Sequence, residues 1–392
     1  MGRRIGLEAS LACSEAVKLA NVDVIAAYPI TPQTHIVEHL SELVADGELD
    51  AEFVPVESEH SAISACVGAA AAGARTFTST SSQGLALMHE ILFIASSLRL
   101  PIVMAVANRA LSAPISIWND HSDIMAERDI GWIQTFAENG QEVLDLVLHA
   151  YKVAEDHRVY LPVIVNLDGF TLSHVIEPIE IPDQEEVDRY LPPLEPAQKL
   201  DPEAPISMGM VGVPEVYTEA KKACFEALKN SYPVIVEHWK GFEDVFGRSY
   251  WPIETLYTDD AEAIIVTMGS LSETCMSAVE EMRADGIKAG HIRIRLWRPF
   301  PVEDFLAAIG EPKPLIVMDR ALSPGAAAGP VATELRALLY AQGKDHYVAN
   351  FVAGLGGRDV SREDFKAMYA RAVKAAEAGE PMISHEIVGV KE

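Results

Sequence analysis

Short apolar segments separated by helix-length stretches constrain this chain more than any other feature. Val22–Ala27, Phe53–Val56, Thr76–Ser79, Ile102–Val106 and Pro162–Asn166 read as strands. Between and around them, Leu7–Ala20, Ser61–Ala72, Gly84–Leu98 and Glu142–Glu155 read as helices. Strands without a polar face belong in sheets covered on both sides, and strand–helix alternation makes such sheets parallel. The expectation is an α/β fold with a doubly wound parallel sheet and right-handed crossovers.

The pattern breaks off and then resumes. From about 175 to 210 the chain is rich in Pro, Asp and Glu, and reads as an irregular acidic arm fit to cover a neighbouring subunit. A helix, Val216–Asn230, and a mixed region with Trp239 and Trp251 come next. The alternation restarts with the strand Ala263–Met268, helix Glu273–Asp285, strand Ile292–Leu296 and helix Val302–Ile309. Strand Pro314–Met318, helix Pro330–Gln342, strand Tyr347–Val352 and helix Ser361–Ala378 complete it, with Ser361 and Asp364 spaced as a capping box. We therefore expect two domains, 1–255 and a smaller α/β unit, 256–392.

Composition excludes several function classes. The chain of 392 residues carries 31 basic against 58 acidic side chains, a net charge of −27, which repels nucleic acid and anionic lipid. Its most apolar stretch, Ile91–Ala107, is interrupted by two serines, Arg99 and Pro101 and cannot span a bilayer. No signal-peptide core follows the basic start, so a cytoplasmic location is expected. Cys13, Cys66, Cys224 and Cys275 are scattered and form no CxxC pair, which argues for reduced, buried thiols and against an iron–sulfur or zinc site in this chain.

Three loops at the carboxyl ends of first-domain strands are placed to carry chemistry, since open α/β sheets bind ligands along that edge. Tyr28-Pro29-Ile30-Thr31-Pro32 is stiffened by two X-Pro steps, and can present the Thr31 hydroxyl at small entropic cost or simply form a turn. Glu57-Ser58-Glu59-His60 precedes a helix, where a carboxylate either caps the helix or, partly buried, receives a hydrogen bond from a cofactor ring nitrogen. Asn108-Arg109-Ala110 places a guanidinium fork suited to a substrate carboxylate directly after a strand. Downstream, Asp120, His121 and Asp123 match no common metal spacing and read better as a hydrogen-bonded turn at an interface. There is no GxGxxG or GxxxxGK[ST]; Gly354-Leu355-Gly356-Gly357 fits neither and reads as a tight turn.

Together these segments resemble the α subunit of multi-subunit 2-oxoacid:ferredoxin oxidoreductases, closest to the pyruvate:ferredoxin enzymes. Tyr28–Pro32, Ser58-Glu59, Ser81-Ser82-Gln83-Gly84-Leu85 and Asn108-Arg109-Ala110 with Asp120–Asp123 carry the likeness in the first domain. Met268-Gly269-Ser270, Glu273-Thr274, Arg295–Phe300 and Asp319-Arg320 carry it in the second, so it spans nearly the whole chain. The resemblance implies a pyrimidine-binding domain of a thiamine diphosphate enzyme followed by a transketolase C-terminal-like domain. It implies that Glu59 hydrogen-bonds N1′ of the cofactor and promotes loss of the thiazolium C2 proton. Thr31 and Arg109 then hold the substrate carboxylate, while Tyr28, Pro29, Ile30, Ser82 and Gln83 line the cofactor site.

Oxidative decarboxylation of a 2-oxo acid to acyl-CoA and CO2 follows from that likeness. Pyruvate is the first expectation, and branched-chain or aryl 2-oxo acids such as phenylglyoxylate are competitors. The alternative class is a lipoamide-linked 2-oxoacid dehydrogenase subunit or a transketolase half. The chain lacks the Gly-Asp-Gly…Asn motif that holds Mg2+ and diphosphate; Leu167-Asp168-Gly169 is the nearest stretch. The resemblance therefore implies that a β subunit supplies the diphosphate and Mg2+ site, that a small subunit and the β subunit carry [4Fe-4S] clusters, and that a γ subunit completes the complex. Coenzyme A is the co-substrate, and ferredoxin or a flavin/NAD subunit takes the electrons.

Overall fold

A computed structural model describes residues 2–391; Met1 and Glu392, the outermost residues of the two expected domains, lie outside it. Two sheets dominate. The first has seven strands in the spatial order Leu296–Arg298, Ile133–Phe136, Val163–Asp168, Val103–Asn108, Thr76–Thr80, Val24–Ala27, Glu52–Pro55. The six strands from the N-terminal half are mutually parallel. The second sheet has six strands, four of them the expected parallel set, edged by the antiparallel strand Ile253–Leu256. Helices cover both faces, as fully apolar strands require.

The chain leaves Val24–Ala27, places the next strand, Glu52–Pro55, on one side, and then crosses to Thr76–Thr80 on the other. Crossovers therefore diverge between Val24–Ala27 and Thr76–Thr80, which opens a crevice at the carboxyl ends of these two strands. The loop Tyr28–Gln33 and the helix Ser82–Ser97, with Ser81 at its N-cap position, start there.

The two halves are not beads on a string. Leu296–Arg298 leaves the C-terminal half and pairs antiparallel with Ile133–Phe136 of the first sheet. The expected division at 255/256 falls inside Ile253–Leu256, which pairs with Ala289–Ile294 of the second sheet. One continuous apolar core joins Ile63, Leu85, Met104 and Trp132 of the first half to Val266, Ile294, Trp297 and Phe305 of the second. Buried ions add to it: Arg295, without solvent exposure, binds Glu142 (2.6 Å) and Glu254, and Arg293 binds Glu138, Glu142 and Glu254.

Several elements differ from expectation. Ile133–Phe136 was not expected as a strand, because Gln134 and Thr135 break the apolar pattern. Both are buried, and they bond the carbonyls of Glu127 (2.9 Å) and Ile164 (3.3 Å). Helix Thr34–Ala45 follows the Pro-rich loop, and Tyr232–Phe246 is a helix where a mixed region was expected. The arm is not wholly irregular: Ile176–Ile181 pairs with Arg3–Glu8 as an isolated ribbon, followed by the helix Gln184–Tyr190. Pro178 is tolerated there because a two-stranded ribbon has free edges. Ser361 and Asp364 do form the capping box.

Candidate active site

Glu59 is the first residue of the helix Glu59–Ala71, and Ser58 caps that helix by accepting from Ser61 N at 3.2 Å. The two neighbouring carboxylates part company. Glu57 is exposed and takes the Ser61 hydroxyl at 2.6 Å, whereas Glu59 is only 7% exposed and turns inward. Its carboxylate has no hydrogen-bond partner among the described residues. Leaving a buried carboxylate unpaired costs several kcal/mol unless a ligand donates to it. Space for it is made by Gly84, where a Cβ would lie 2.6 Å from Glu59 Oε1 and 2.5 Å from Thr80 Oγ1. Thr80 Oγ1 and Ser81 Oγ beside it are also buried without partners.

The Tyr28–Pro32 loop is pinned from below by Gln33. Its side chain is fully buried, donates to Ser79 O (2.8 Å) and Ser79 Oγ (2.7 Å), and accepts from Ile30 N (3.1 Å). Pro29 and Thr31 are left exposed, Tyr28 and Ile30 half-buried. Thr31 projects its hydroxyl from a fixed backbone, as the loop's stiffness predicts.

Arg109 is brought to the same loop. Its Nη1 donates to Thr31 O at 2.9 Å and its Nε to Ser116 O at 2.8 Å, and the residue is only 6% exposed. Burial lowers its pKa, but a guanidinium stays charged at neutral pH. With Nε and one Nη1 hydrogen engaged, Nη2 has no partner among the described residues. The side chain thus offers Nη2, the second Nη1 hydrogen and a positive charge, not the wholly empty fork that the isolated sequence suggested.

Ser82 and Gln83 stand opposite. Ser82, at φ +49°, donates its hydroxyl to Ala110 O at 2.7 Å, and Gln83 binds the Ser112 hydroxyl. Both segments converge on a residue without an assigned role in the sequence, Asp123. Its Oδ2 accepts from Ser82 N (3.0 Å) and Arg109 N (2.9 Å); its Oδ1 accepts from Asn108 Nδ2 (3.1 Å) and Ile124 N (2.7 Å). Burial pushes the Asp123 carboxyl up to about 7 against the pull of those donors.

The rest of the Asp120–Asp123 segment is an interface turn. His121 Nε2 lies 2.7 Å from Asp168 Oδ1, and Asp120 accepts from Gly356 N at 3.2 Å. Gly357 N donates to Asn119 O at 2.6 Å, and a Cβ there would meet Trp118 Cβ at 2.6 Å, so the glycine turn docks this loop. Asp168 also binds Arg320 Nη1 (2.6 Å) and Ser270 N (2.8 Å), and these cations and donors hold its carboxyl far below the usual range despite burial. Its carboxylate is spent on the joint between the halves.

Gln33 acts here without a motif to announce it, and Asp123, read in the sequence only as part of a hydrogen-bonded turn, holds the Ser82 and Arg109 amides. Gly84 stood in the Ser81–Leu85 stretch, yet its purpose, room for a side chain 25 positions earlier, is visible only in three dimensions.

Comparison with known proteins bears on the same residues. A family model described as "Pyruvate flavodoxin/ferredoxin oxidoreductase, thiamine diP-bdg" matches residues 15–239, and "Pyruvate:ferredoxin oxidoreductase core domain II" matches 261–365. The chain is 52% identical to the pyruvate synthase subunit PorA of Pyrococcus abyssi, over 96% of this chain and 95% of that one. The PorA subunit of Thermotoga maritima is 47% identical over 94% of each chain. The ketoisovalerate oxidoreductase subunit VorA of P. abyssi is 45% identical, over 94% of this chain and 93% of that one. Among solved structures, the 2-oxoglutarate:ferredoxin oxidoreductase of Magnetococcus marinus matches with a TM-score of 0.74 at 20% identity, covering 94% of this chain and 65% of that chain. A split-gene transketolase matches at 0.56 and 13% identity, over 94% and 99%. At such identities these two share the fold.

Proposed function

The chain belongs to the α-subunit family of pyruvate:ferredoxin oxidoreductases, and from that membership we propose that it supplies the pyrimidine-facing half of a shared active site. The enzyme is a 2-oxoacid oxidoreductase that uses thiamine diphosphate and coenzyme A. Pyruvate is the substrate we assign, because pyruvate synthase subunits are the relatives near 50% identity across the full chain. The balanced reaction is pyruvate plus coenzyme A giving acetyl-CoA, CO2, one proton and two electrons, and we assign the electrons to ferredoxin. We also propose the two domains expected from the sequence, a pyrimidine-binding unit over 1–255 and a transketolase C-terminal-like unit over 256–392, with the strand Ile253–Leu256 at their joint.

One observation carries the reading: a buried, unpartnered carboxylate at Glu59, with room kept for it by Gly84. That arrangement fits an aminopyrimidine ring, whose N1′ accepts a proton shared with Glu59. When bound, thiamine diphosphate supplies the carbon that attacks the 2-oxo group and the electron sink that lets CO2 leave. Glu59 holds the proton at N1′. Tyr28, Pro29, Ile30, Ser82 and Gln83 wall the ring site, with the backbone of the first three set by Gln33. Arg109 Nη2 and the Thr31 hydroxyl bind the substrate carboxylate. One nitrogen and a hydroxyl suit a carboxylate that must depart as neutral CO2, since tighter binding stabilises the ground state and slows the step.

The diphosphate half lies on partners. Asp168, in the stretch nearest the Mg2+ motif, is fully engaged by Arg320, His121 and Ser270, which supports a Mg2+ and diphosphate site on a β subunit. Ile115, Ile117 and Trp118 stand exposed beside Arg109, which supports burial of this rim by a partner. The four free cysteines are spread over separate elements, so [4Fe-4S] clusters are assigned to the β and small subunits, with a γ subunit completing the complex. Among the described residues no helix is long and apolar enough to cross a membrane. We propose the cytoplasmic location expected from the sequence.

Turnover of the purified complex with coenzyme A and a panel of 2-oxo acids tests the substrate. Pyruvate is expected to give the highest kcat/KM. A higher value for 2-oxoisovalerate would shift the assignment toward the VorA-like relative, and one for phenylglyoxylate would overturn it.

A further inference from the structure

Beside the cleft, three side chains from separate segments converge without a role in the reaction above. Glu8 ends the strand Arg3–Glu8, His35 is the second residue of the helix Thr34–Ala45, and His174 lies in the turn beyond the strand Val163–Asp168. Glu8 Oε1 is 2.7 Å from His35 Nδ1, and the two imidazole centroids are 4.4 Å apart. One ligand atom from each of the three lies within 4.8 Å of the others. All three are partly exposed, so an ion from solvent can reach them.

We propose that Glu8, His35 and His174 form a binding site for a borderline divalent transition cation, with Zn2+ the best match. Two imidazoles and a carboxylate suit this class, whereas Mg2+ and Ca2+ favour all-oxygen shells. Tetrahedral zinc, with bonds of about 2.0–2.1 Å, sets its ligand atoms roughly 3.3 Å apart. The present spread is up to 4.8 Å, so the side chains must draw together by up to about 1.5 Å on binding. The exposed side leaves the fourth position to water.

One further feature prepares the site. Ser173 Oγ accepts from Phe170 N (2.9 Å) and lies 2.8 Å from His174 Nδ1, so it can orient that ring and leave Nε2 for the metal. Without a metal, Glu8 and His35 share one half-exposed contact, and no hydrogen bond ties His174 to either. With one, the ribbon Arg3–Glu8, the helix that follows the Thr31 loop and the turn beyond Asp168 are stapled together.

Calorimetric titration of the full-length, chelator-stripped chain with Zn2+ tests this. The expected result is one equivalent bound, a higher melting temperature, and affinity reduced at least about 100-fold by His35→Ala or His174→Gln. Ser173→Ala is expected to cost about ten-fold, the usual effect of losing a group that orients a ligand. Melting of the metal-free variants checks their folding. If His174→Gln lowers it, the wild-type chain with Co2+, read for the visible bands of a four-coordinate nitrogen–oxygen site, decides instead. Absence of one-equivalent binding, unchanged affinity in a folded His174→Gln chain, or a sulfur-ligated cobalt spectrum would overturn the proposal.

Discussion

Glu59 and Gly84 are coupled by space. Alanine is favoured over glycine in a helix by up to about 1 kcal/mol, but Gly84 lies in the first turn of Ser82–Ser97, where a Cβ would collide with the Glu59 carboxylate and with Thr80 Oγ1. Gly84→Ala is therefore expected to lower the melting temperature slightly while leaving the chain folded. Turnover of the complex is expected to fall by roughly 10²-fold or more, close to the loss in Glu59→Gln, the scale of losing a positioned proton-transfer group. An active Gly84→Ala complex would remove Glu59 from its assigned role. Asp123 allows a second test at this scale. Its folded pKa, about 7, lies above its ordinary 3.8, so the native state holds an extra proton between these values. Its contribution to stability is full near pH 4, declines as pH rises to about 7, and is constant above. The wild-type advantage over Asp123→Asn in urea unfolding should therefore shrink from pH 5 to pH 7.5, by up to about 4 kcal/mol in the full range. A growing advantage would show that the carboxyl is charged throughout.

At the scale of elements, the joint between the halves rests on Asp168, Arg320 and the loop Trp118–Asp123. Removing one member of a buried ion pair costs about 3–5 kcal/mol, because the other is left uncompensated. Arg320→Ala is expected to lower the unfolding free energy by that amount, and with it the urea midpoint of the whole chain, without a separate transition for the C-terminal half, since one core spans both halves. Asp168 has its folded pKa depressed, so its contribution is present above about pH 4 and is lost as pH falls further. Why most strands were legible follows from the same physics. Ile102–Val106 and Ala263–Met268 lie in sheet centres, where burial on both faces forces an apolar run. Ile133–Phe136 and Ile176–Ile181 were not legible, because one hides polar groups that find carbonyl partners inside and the other forms a ribbon outside the main sheets. The site divides likewise. Thr31, Glu59 and Arg109 sit in stretches with their own composition, while Asp123 acts through the distant backbone amides of Ser82 and Arg109, and Gln33 through the distant Ser79.

For the molecule as a whole, the central claim is that one chain carries half of a thiamine diphosphate site. The scattered cysteines, the engaged Asp168 and the exposed rim at Ile115–Trp118 all point to partners that complete it. A ring held by one glutamate and a loop, without the magnesium-bound diphosphate, forgoes the largest electrostatic part of its binding. The most direct measurement is thiamine diphosphate affinity, with Mg2+ present, for the isolated chain and for the complex reconstituted with its partner subunits. The expected result is saturable, tight binding by the complex and at least a 100-fold weaker affinity for the chain alone. Tight binding by the isolated chain would contradict the shared site.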